Sequence, residues 1–287
     1  IEDFDNSLAT PKYIVGRLEL CGISQINFIV DILNYVMLEI GQPMHVFDKD
    51  KLNGDLDVRF AKKGEKINAL DGNEYILSVD IPVISDNDEP QAIAGVIGSN
   101  NSSVDTDTSS IIIESAFFTP NLIRKSAKKF RLQTESSYRF ERGVDPSLNN
   151  RALGRVIDIV NQYSKIKKHA YNSIISKPIS QHLGKHIKMD ISHFERILGD
   201  KIPNKFIINT LSYLGFNPNM IKNKLQVSVP SHRFDISIAE DIIEEVARVY
   251  GYNNFSEIPL PSINLSTNNI LRNSANISLD LLSSRGY

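Results

Sequence analysis

The 287-residue sequence has a single cysteine, Cys21, so it offers no internal disulfide, and no Cys/His spacing matches a zinc site. That fits a reducing cytosol. No apolar run approaches the roughly 20 residues that a membrane-spanning helix needs. The first residues, IEDFDNSLATPKY, lack the basic and apolar regions of a secretory signal. The expectation is a soluble, cytoplasmic protein. Charge of one sign is also lacking: 32 basic against 34 acidic side chains give a net charge of -2 and a pI near 6.3. A broad electrostatic nucleic-acid surface is thereby excluded, and any such contact has to be local. There is no internal repeat.

What is present is apolar enough, at 41% hydrophobic, to bury a sizeable core, and the length suggests two domains. The first unit runs from about Tyr13 to Lys165. It opens with helical spacing, Ile14 and Leu18, then Ile29, Ile32, Val36 and Ile40 on a second helix that Gly41 ends. From Asp57 the period shortens. DVRFA, EYILS, IPVIS, QAIAGVIG and SIIIESAFF read as strands, with turn signals of Asp-Gly, Asn-Asp and Asn-Asn type between them. Helical spacing returns over Asn149 to Ser164, with Leu153, Val156, Ile157 and Val160 on one stripe. Lys165 to Lys185 reads as a linker. The second unit, His186 to about Phe255, reads helix, helix, hairpin, helix, an order that resembles a winged helix. Its last helix begins at Ser237, where Ser237 and Glu240 have capping-box spacing. Ser256 to Asn268, with Pro259 and Pro261, reads as another linker, and helical periodicity resumes over Ile270 to Tyr287. The class is α+β: a mixed-sheet domain with flanking helices, then a small winged-helix-like domain.

Several stretches carry chemistry. HVFD places His45 after a Gly-Gln-Pro turn, where it can position water or a substrate, although a hydrogen-bonded structural histidine is the commoner reading. Glu114 sits between three isoleucines and two phenylalanines, where an ionised carboxylate loses hydration unless something polar meets it. Its partner is either a ligand or a nearby group such as a backbone amide or Arg139. Gly95 interrupts AIAGVIGS, which marks a bulge or a close approach. TESSYRFERGVD, Thr134 to Asp145, either lines a site or forms an ion-paired strand edge. Asp241, Glu244 and Glu245 share one helix face with Asp235 just before it. This cluster suits Mg2+, or else it is a solvated face with Glu244 paired to Arg248. RKSAKKFRL sets Arg124 with Lys128, and Lys125 with Lys129, one helical turn apart, either a solvated face or a phosphate contact.

Taken in order, NYVMLEIGQPMHVFD, IAGVIG, ESAFF, ESSYRFERGVDP and HRFDISIAEDIIEEVARVYGYNN resemble blocks of the beta subunit of bacterial phenylalanyl-tRNA synthetase over nearly the whole chain. The resemblance implies an editing domain over 1–165, a linker over 166–185, the winged-helix-like domain over 186–258, and a linker with the start of a catalytic-core-like region over 259–287. Ile1 and the break at Tyr287 would then be the ends of an internal fragment. It further implies hydrolysis of tyrosine wrongly attached to the phenylalanine tRNA. Glu114 would receive the phenol hydroxyl, His45 and Asn34 would hold the terminal adenosine or the attacking water, Gly95 would give the ester room, and Thr134 with Ser136 would face them. Asp235, Asp241, Glu244 and Glu245 match family positions for a Mg2+ site shared with the alpha subunit. Partners would be that subunit, in a heteromer of two alpha and two beta chains that consumes ATP, and the phenylalanine tRNA.

Three positions depart from the family pattern. Leu33 stands where threonine is usual, Ser136 where alanine is usual, and Ser99 where glycine is common. A rival reading is a stand-alone RNA-binding or trans-editing module without a ligase partner. DNA reading by the winged helix is disfavoured, because PNKFIINTLSYLG carries one basic residue, Lys205.

Overall fold

The computed structural model describes residues 1–2, 5–87, 89–163, 185–257 and 270–287. The chain opens with two antiparallel-packed helices, α1 (Lys12–Leu20) and α2 (Phe28–Ile40). Asn27 caps α2 by accepting from the Val30 amide, and Gly41 ends it in the left-handed region at φ 91. The apolar faces of α1 and α2 close on α5 (Asn149–Tyr163). Ile14, Leu18, Ile29, Ile32, Val36, Val156 and Ile159 form one core there with Val46 and Ile111.

Between these helices lie β1 (His45–Asp48), β2 (Asp57–Phe60), β3 (Lys66–Asn68), β4 (Glu74–Ile76), β5 (Pro82–Ser85), β6 (Pro90–Ile93), β7 (Ile97–Gly98) and β8 (Ile111–Glu114). The α+β class stands. Where a mixed sheet was expected, the described strands instead form small sheets, β2-β5-β6-β7, β3-β4 and β1-β8, whose pairs are all antiparallel. QAIAGVIG does not run as one strand. It folds back at Ala94 to Val96, and the Val96 amide donates to Ile93 O. After β8 come α3 (Pro120–Phe130) and α4 (Glu135–Phe140). The polar stretch from Thr134 is thus a helix rather than a strand edge: Thr134 accepts from the Ser137 amide and Ser137 Oγ accepts from the Thr134 amide.

The second unit begins one element earlier than its helices suggest. The order is β9 (His186–Asp190), α6 (Ser192–Leu198), α7 (Asn204–Tyr213), β10 (Asn217–Ile221), β11 (Lys224–Ser228) and α8 (Ala239–Tyr250), with sheet order β10-β11-β9. In β9, Ile187 and Met189 alternate inward toward Phe194, Leu211, Leu225 and Ile243. The Ser237–Glu240 capping box does not form. Asp241 reaches back instead, and its Oδ2 accepts from the Ser237 and Ile238 amides at 2.7 and 2.9 Å, while Glu240 meets His193 at 3.1 Å. The last helix is α9 (Ile270–Ser284). The linkers expected over 166–185 and from 259 lie almost wholly outside the described residues.

The two units touch at Ser231, whose Oγ donates to Ser147 Oγ at 3.4 Å, and through an aromatic ring. Phe234 stacks on Phe117 at 6.3 Å with planes 6° apart, and a Cβ on Gly143 would lie 2.6 Å from that ring. No helix of the described residues is long and apolar enough to cross a membrane. Because Leu18 is fully buried between α1 and α2, Leu18→Ala is expected to destabilise the fold by about 2–5 kcal/mol. A urea midpoint equal to that of wild type would contradict this packing.

Candidate active site

The pairing of β1 with β8 sets His45 directly opposite Glu114. Directly paired residues project to the same side of a ladder, so the imidazole and the carboxyl enter one pocket. Its wall is completed by Gly95, Gly98, Ser136 and Phe140, with Pro43 and Met44 on the approach to β1. The pocket encloses about 40 Å³, room for a few water molecules.

Each wall residue is fixed by packing. The His45 ring lies edge-on to Phe47 at 4.6 Å and rests on Gly98, where a Cβ would overlap its Cε1 and Nε2. Gly95 has φ +66, and a Cβ there would come within 2.9 Å of Ile123 and Phe118. Glycine is therefore demanded by backbone and packing alike. Thr134 spends its hydroxyl on the scaffold: Oγ1 donates to Val96 O at 2.8 Å and caps α4, which presents Ser136 to the pocket. Gly98 was not singled out from the sequence, although the repeated glycine of IAGVIG was the available signal.

Two positions on α2 are not brought to this pocket. Leu33 is 4% exposed and packs in the α1–α2–α5 core, which a threonine hydroxyl would not suit, and Asn34 is partly exposed on the same helix. Ser99 is also structural, since Oγ donates to Asn68 O and the amide donates to Gln91 O. Arg139 does not meet Glu114. It pairs with Glu135 at 2.5 Å, and Glu114 has no ion pair among the described residues.

Burial without a counter-charge shifts both groups toward neutrality. Desolvation raises the Glu114 carboxyl from 4.5 to about 7 and lowers His45 from 6.5 to about 4. Near neutral pH His45 is an uncharged imidazole with an acceptor nitrogen, and Glu114 exchanges between an acceptor and a hydroxyl-bearing donor.

Two of the four candidate carboxylates of the second unit meet on one guanidinium. Arg233 holds Asp235 at 2.9 and 2.6 Å and reaches Glu245 at 3.0 Å, while Arg248 takes the other Glu245 oxygen at 2.8 Å. These guanidinium groups hold Asp235 and Glu245 below the usual carboxylate range, and the Ser237 and Ile238 amides do the same for Asp241. Glu244 is exposed, and Arg248 pairs with Glu245 in place of the expected Glu244. Among the described residues no group of three or more His, Cys, Asp or Glu side chains is arranged to hold a metal ion. Helical spacing counts the four carboxylates expected to share Mg2+ but not the arginine two residues before Asp235, which pairs with Asp235 and Glu245 and leaves Asp241 and Glu244 without an arginine among the described residues.

Two measurements check this geometry. A carboxyl raised in the folded state adds no penalty below 4.5, a growing one as pH climbs from 4.5 to about 7, and its full penalty above that. Glu114→Gln is therefore expected to gain stability relative to wild type across that interval, and parallel urea-midpoint profiles would contradict the burial. Gly98→Ala is expected to displace the imidazole and cost about 1–3 kcal/mol. An unchanged midpoint together with an unshifted His45 ring resonance would count against the close approach.

Comparison with known families matches residues 1–165 to the B3/4 domain and residues 187–252 to the tRNA synthetase B5 domain. The chain is similar to the phenylalanine–tRNA ligase beta subunits of Photorhabdus laumondii, 39% identical over 91% of this chain and 33% of that one, and of Vibrio cholerae, 38% identical over 97% and 35%. It thus spans about a third of the length of these curated relatives. Among solved structures it is similar to an N-terminal fragment of the phenylalanyl-tRNA synthetase beta subunit from Pyrococcus horikoshii, at 15% identity and a TM-score of 0.38 over 78% of this chain and 66% of that one. With more than half its length matched, the chain belongs to the B3/4 domain family, the match being followed here by one to the tRNA synthetase B5 domain.

Proposed function

We propose that the chain is the proofreading segment of a phenylalanine–tRNA ligase beta subunit, and that the pocket between β1 and β8 hydrolyses tyrosine misattached to the phenylalanine tRNA. The observation that carries this reading is the facing pair His45 and Glu114, two uncompensated polar groups in one pocket of a B3/4 domain. The chemical need is plain. A synthetic site shaped for a phenyl ring rejects an added hydroxyl by only about a hundredfold. A second site whose buried carboxyl hydrogen-bonds that hydroxyl discriminates the other way, since phenylalanine leaves the carboxyl unpaired.

In this reading Glu114 binds the phenol oxygen, and the neutral imidazole of His45 orients a water against the ester carbonyl. Attack cleaves the acyl–oxygen bond, so the amino acid leaves as a free carboxylate and the terminal ribose regains its hydroxyl. No covalent intermediate is invoked. Gly95 and Ser136 line the ester's side of the pocket, while Thr134 acts through Val96 as a positioning residue. Leu33 and Asn34, set back on α2, act only through the wall they support.

The relatives' names support a reading in which this segment belongs to a ligase with a partner subunit. It would be a cytoplasmic enzyme in which an alpha subunit joins phenylalanine to its tRNA at the expense of ATP. Asp235 and Glu245 of the B5 domain pair with Arg233 and Arg248, whereas Asp241 and Glu244 would be the carboxylates open to a Mg2+ shared with the alpha subunit; no step of the hydrolysis is routed through that ion.

The test is deacylation of tyrosyl-tRNA by the full heteromer. His45→Ala is expected to lower kcat by about a hundredfold. Glu114→Ala is expected to erase most of the preference for tyrosyl over phenylalanyl ester. Wild-type rates and preference in both variants would overturn the assignment.

A further inference from the structure

The basic run of α3 resolves into two sets with different roles. Lys125 and Lys129 close on Asp80 at 3.0 and 3.1 Å, so their charge is used inside the domain. Arg124, Lys128 and Arg131 are exposed and make no ion pair among the described residues. At about 100° and 1.5 Å per residue, Arg124 and Lys128 lie about 40° apart and about 6 Å along the helix, and Arg131 follows as the residue that caps its C-terminal end. They form a single stripe. The cations of the neighbouring α4 and of the turn after it are paired by contrast, Arg139 with Glu135 and Arg142 with Glu141.

Two further observations give the stripe a direction. Arg131 adopts a left-handed backbone at φ 55, at a helix end where glycine or asparagine is usual. A long cation is thus held where the backbone alone favours a smaller residue. The inner face of α3 meanwhile forms part of the pocket's support, because Ile123 and the preceding Phe118 bear on Gly95. One helix therefore backs the pocket and carries three uncompensated positive charges on a chain whose net charge is -2.

We propose that Arg124, Lys128 and Arg131 form a docking surface for the phosphodiester backbone of the RNA whose aminoacylated 3′ end enters the pocket. This rests on the editing reading for its choice of polyanion. A nucleic-acid strand supplies regularly spaced anions that a row of cations one helical turn apart can follow, and such contacts position the strand without reading its sequence. The stripe is a positioning device: it adds affinity and orientation, and the reacting bond is left to the pocket.

The experiment measures binding of phenylalanine tRNA to the full heteromer across a salt series, and tyrosyl-tRNA deacylation alongside it. The triple variant Arg124→Gln, Lys128→Gln, Arg131→Gln is compared with a control, Lys125→Gln, Lys129→Gln, which carries the cations already committed to Asp80. The stripe variant is expected to flatten the slope of log K against log salt by about two to three, and to raise KM for deacylation at least tenfold with kcat within twofold of wild type. The control is expected to leave the salt slope unchanged. An unchanged slope and KM in the stripe variant would overturn the proposal. So would a fall in kcat alone, which would mean that α3 acts only by packing against Gly95, or an unchanged slope with weakened subunit assembly, which would give the stripe to an acidic protein partner. The two readings fail separately: if His45→Ala and Glu114→Ala deacylate like wild type, the editing assignment falls, while the salt slope still decides whether α3 binds RNA.

Discussion

The two-stranded ladder of β1 and β8 governs everything else in the first unit. Its register, His45 opposite Glu114 and Asp48 opposite Ile111, joins a turn that leaves the helical core to a strand arriving from far along the chain. A slip by one residue would send both polar side chains to the opposite face. The ladder is anchored at both ends. Val46 and Ile111 are buried in the α1–α2–α5 core, and the Asp48 carboxylate accepts from Thr108 at 2.7 Å. Hydrophobic burial fixes the register, and the register brings together two groups that are costly to bury. The chemistry of the site follows from that cost, because a carboxyl and an imidazole pushed toward neutrality are ready to hydrogen-bond a neutral ligand.

The supporting elements follow the same logic. Gly98 and Gly95 give up side chains so that the imidazole and two aromatic rings can occupy the space. Thr134 gives its hydroxyl to Val96, and by doing so fixes both the turn after β6 and the start of α4. The polar groups around the pocket are thus divided between those committed to the scaffold and those left open to a ligand.

Much of the fold was legible because periodicity reports burial. The stripe through Ile29, Ile32 and Val36 and the stop at Gly41 gave α2 closely, and Leu153 through Val160 gave α5. Short elements were less visible. Three-residue β3 is too short to show alternation, and six-residue α4 shows little apolar stripe, its signal residing in the Thr134 and Ser137 cap. At the site, family resemblance named His45, Glu114, Gly95 and Ser136, and the fold brings those four to one pocket. It named Leu33 and Asn34 as well, which the fold leaves on α2. Near α8, spacing along the helix did not reveal that Arg233, outside the helix, pairs with two of the four carboxylates, Asp235 and Glu245.

That arginine has a neighbour with a different allegiance. Arg233 pairs with Asp235 and Glu245 inside the second unit, whereas Phe234, between Arg233 and Asp235, lays its ring on Phe117 and against Gly143 in the first. Three consecutive residues therefore serve two domains, and Phe117 itself is followed by the Phe118 that closes under Gly95. The loop acts as a shared pin: a change that loosens the guanidinium from its carboxylates is expected also to loosen the seat of the Phe234 ring on Phe117, the neighbour of the Phe118 that lies against Gly95 in the candidate pocket's wall.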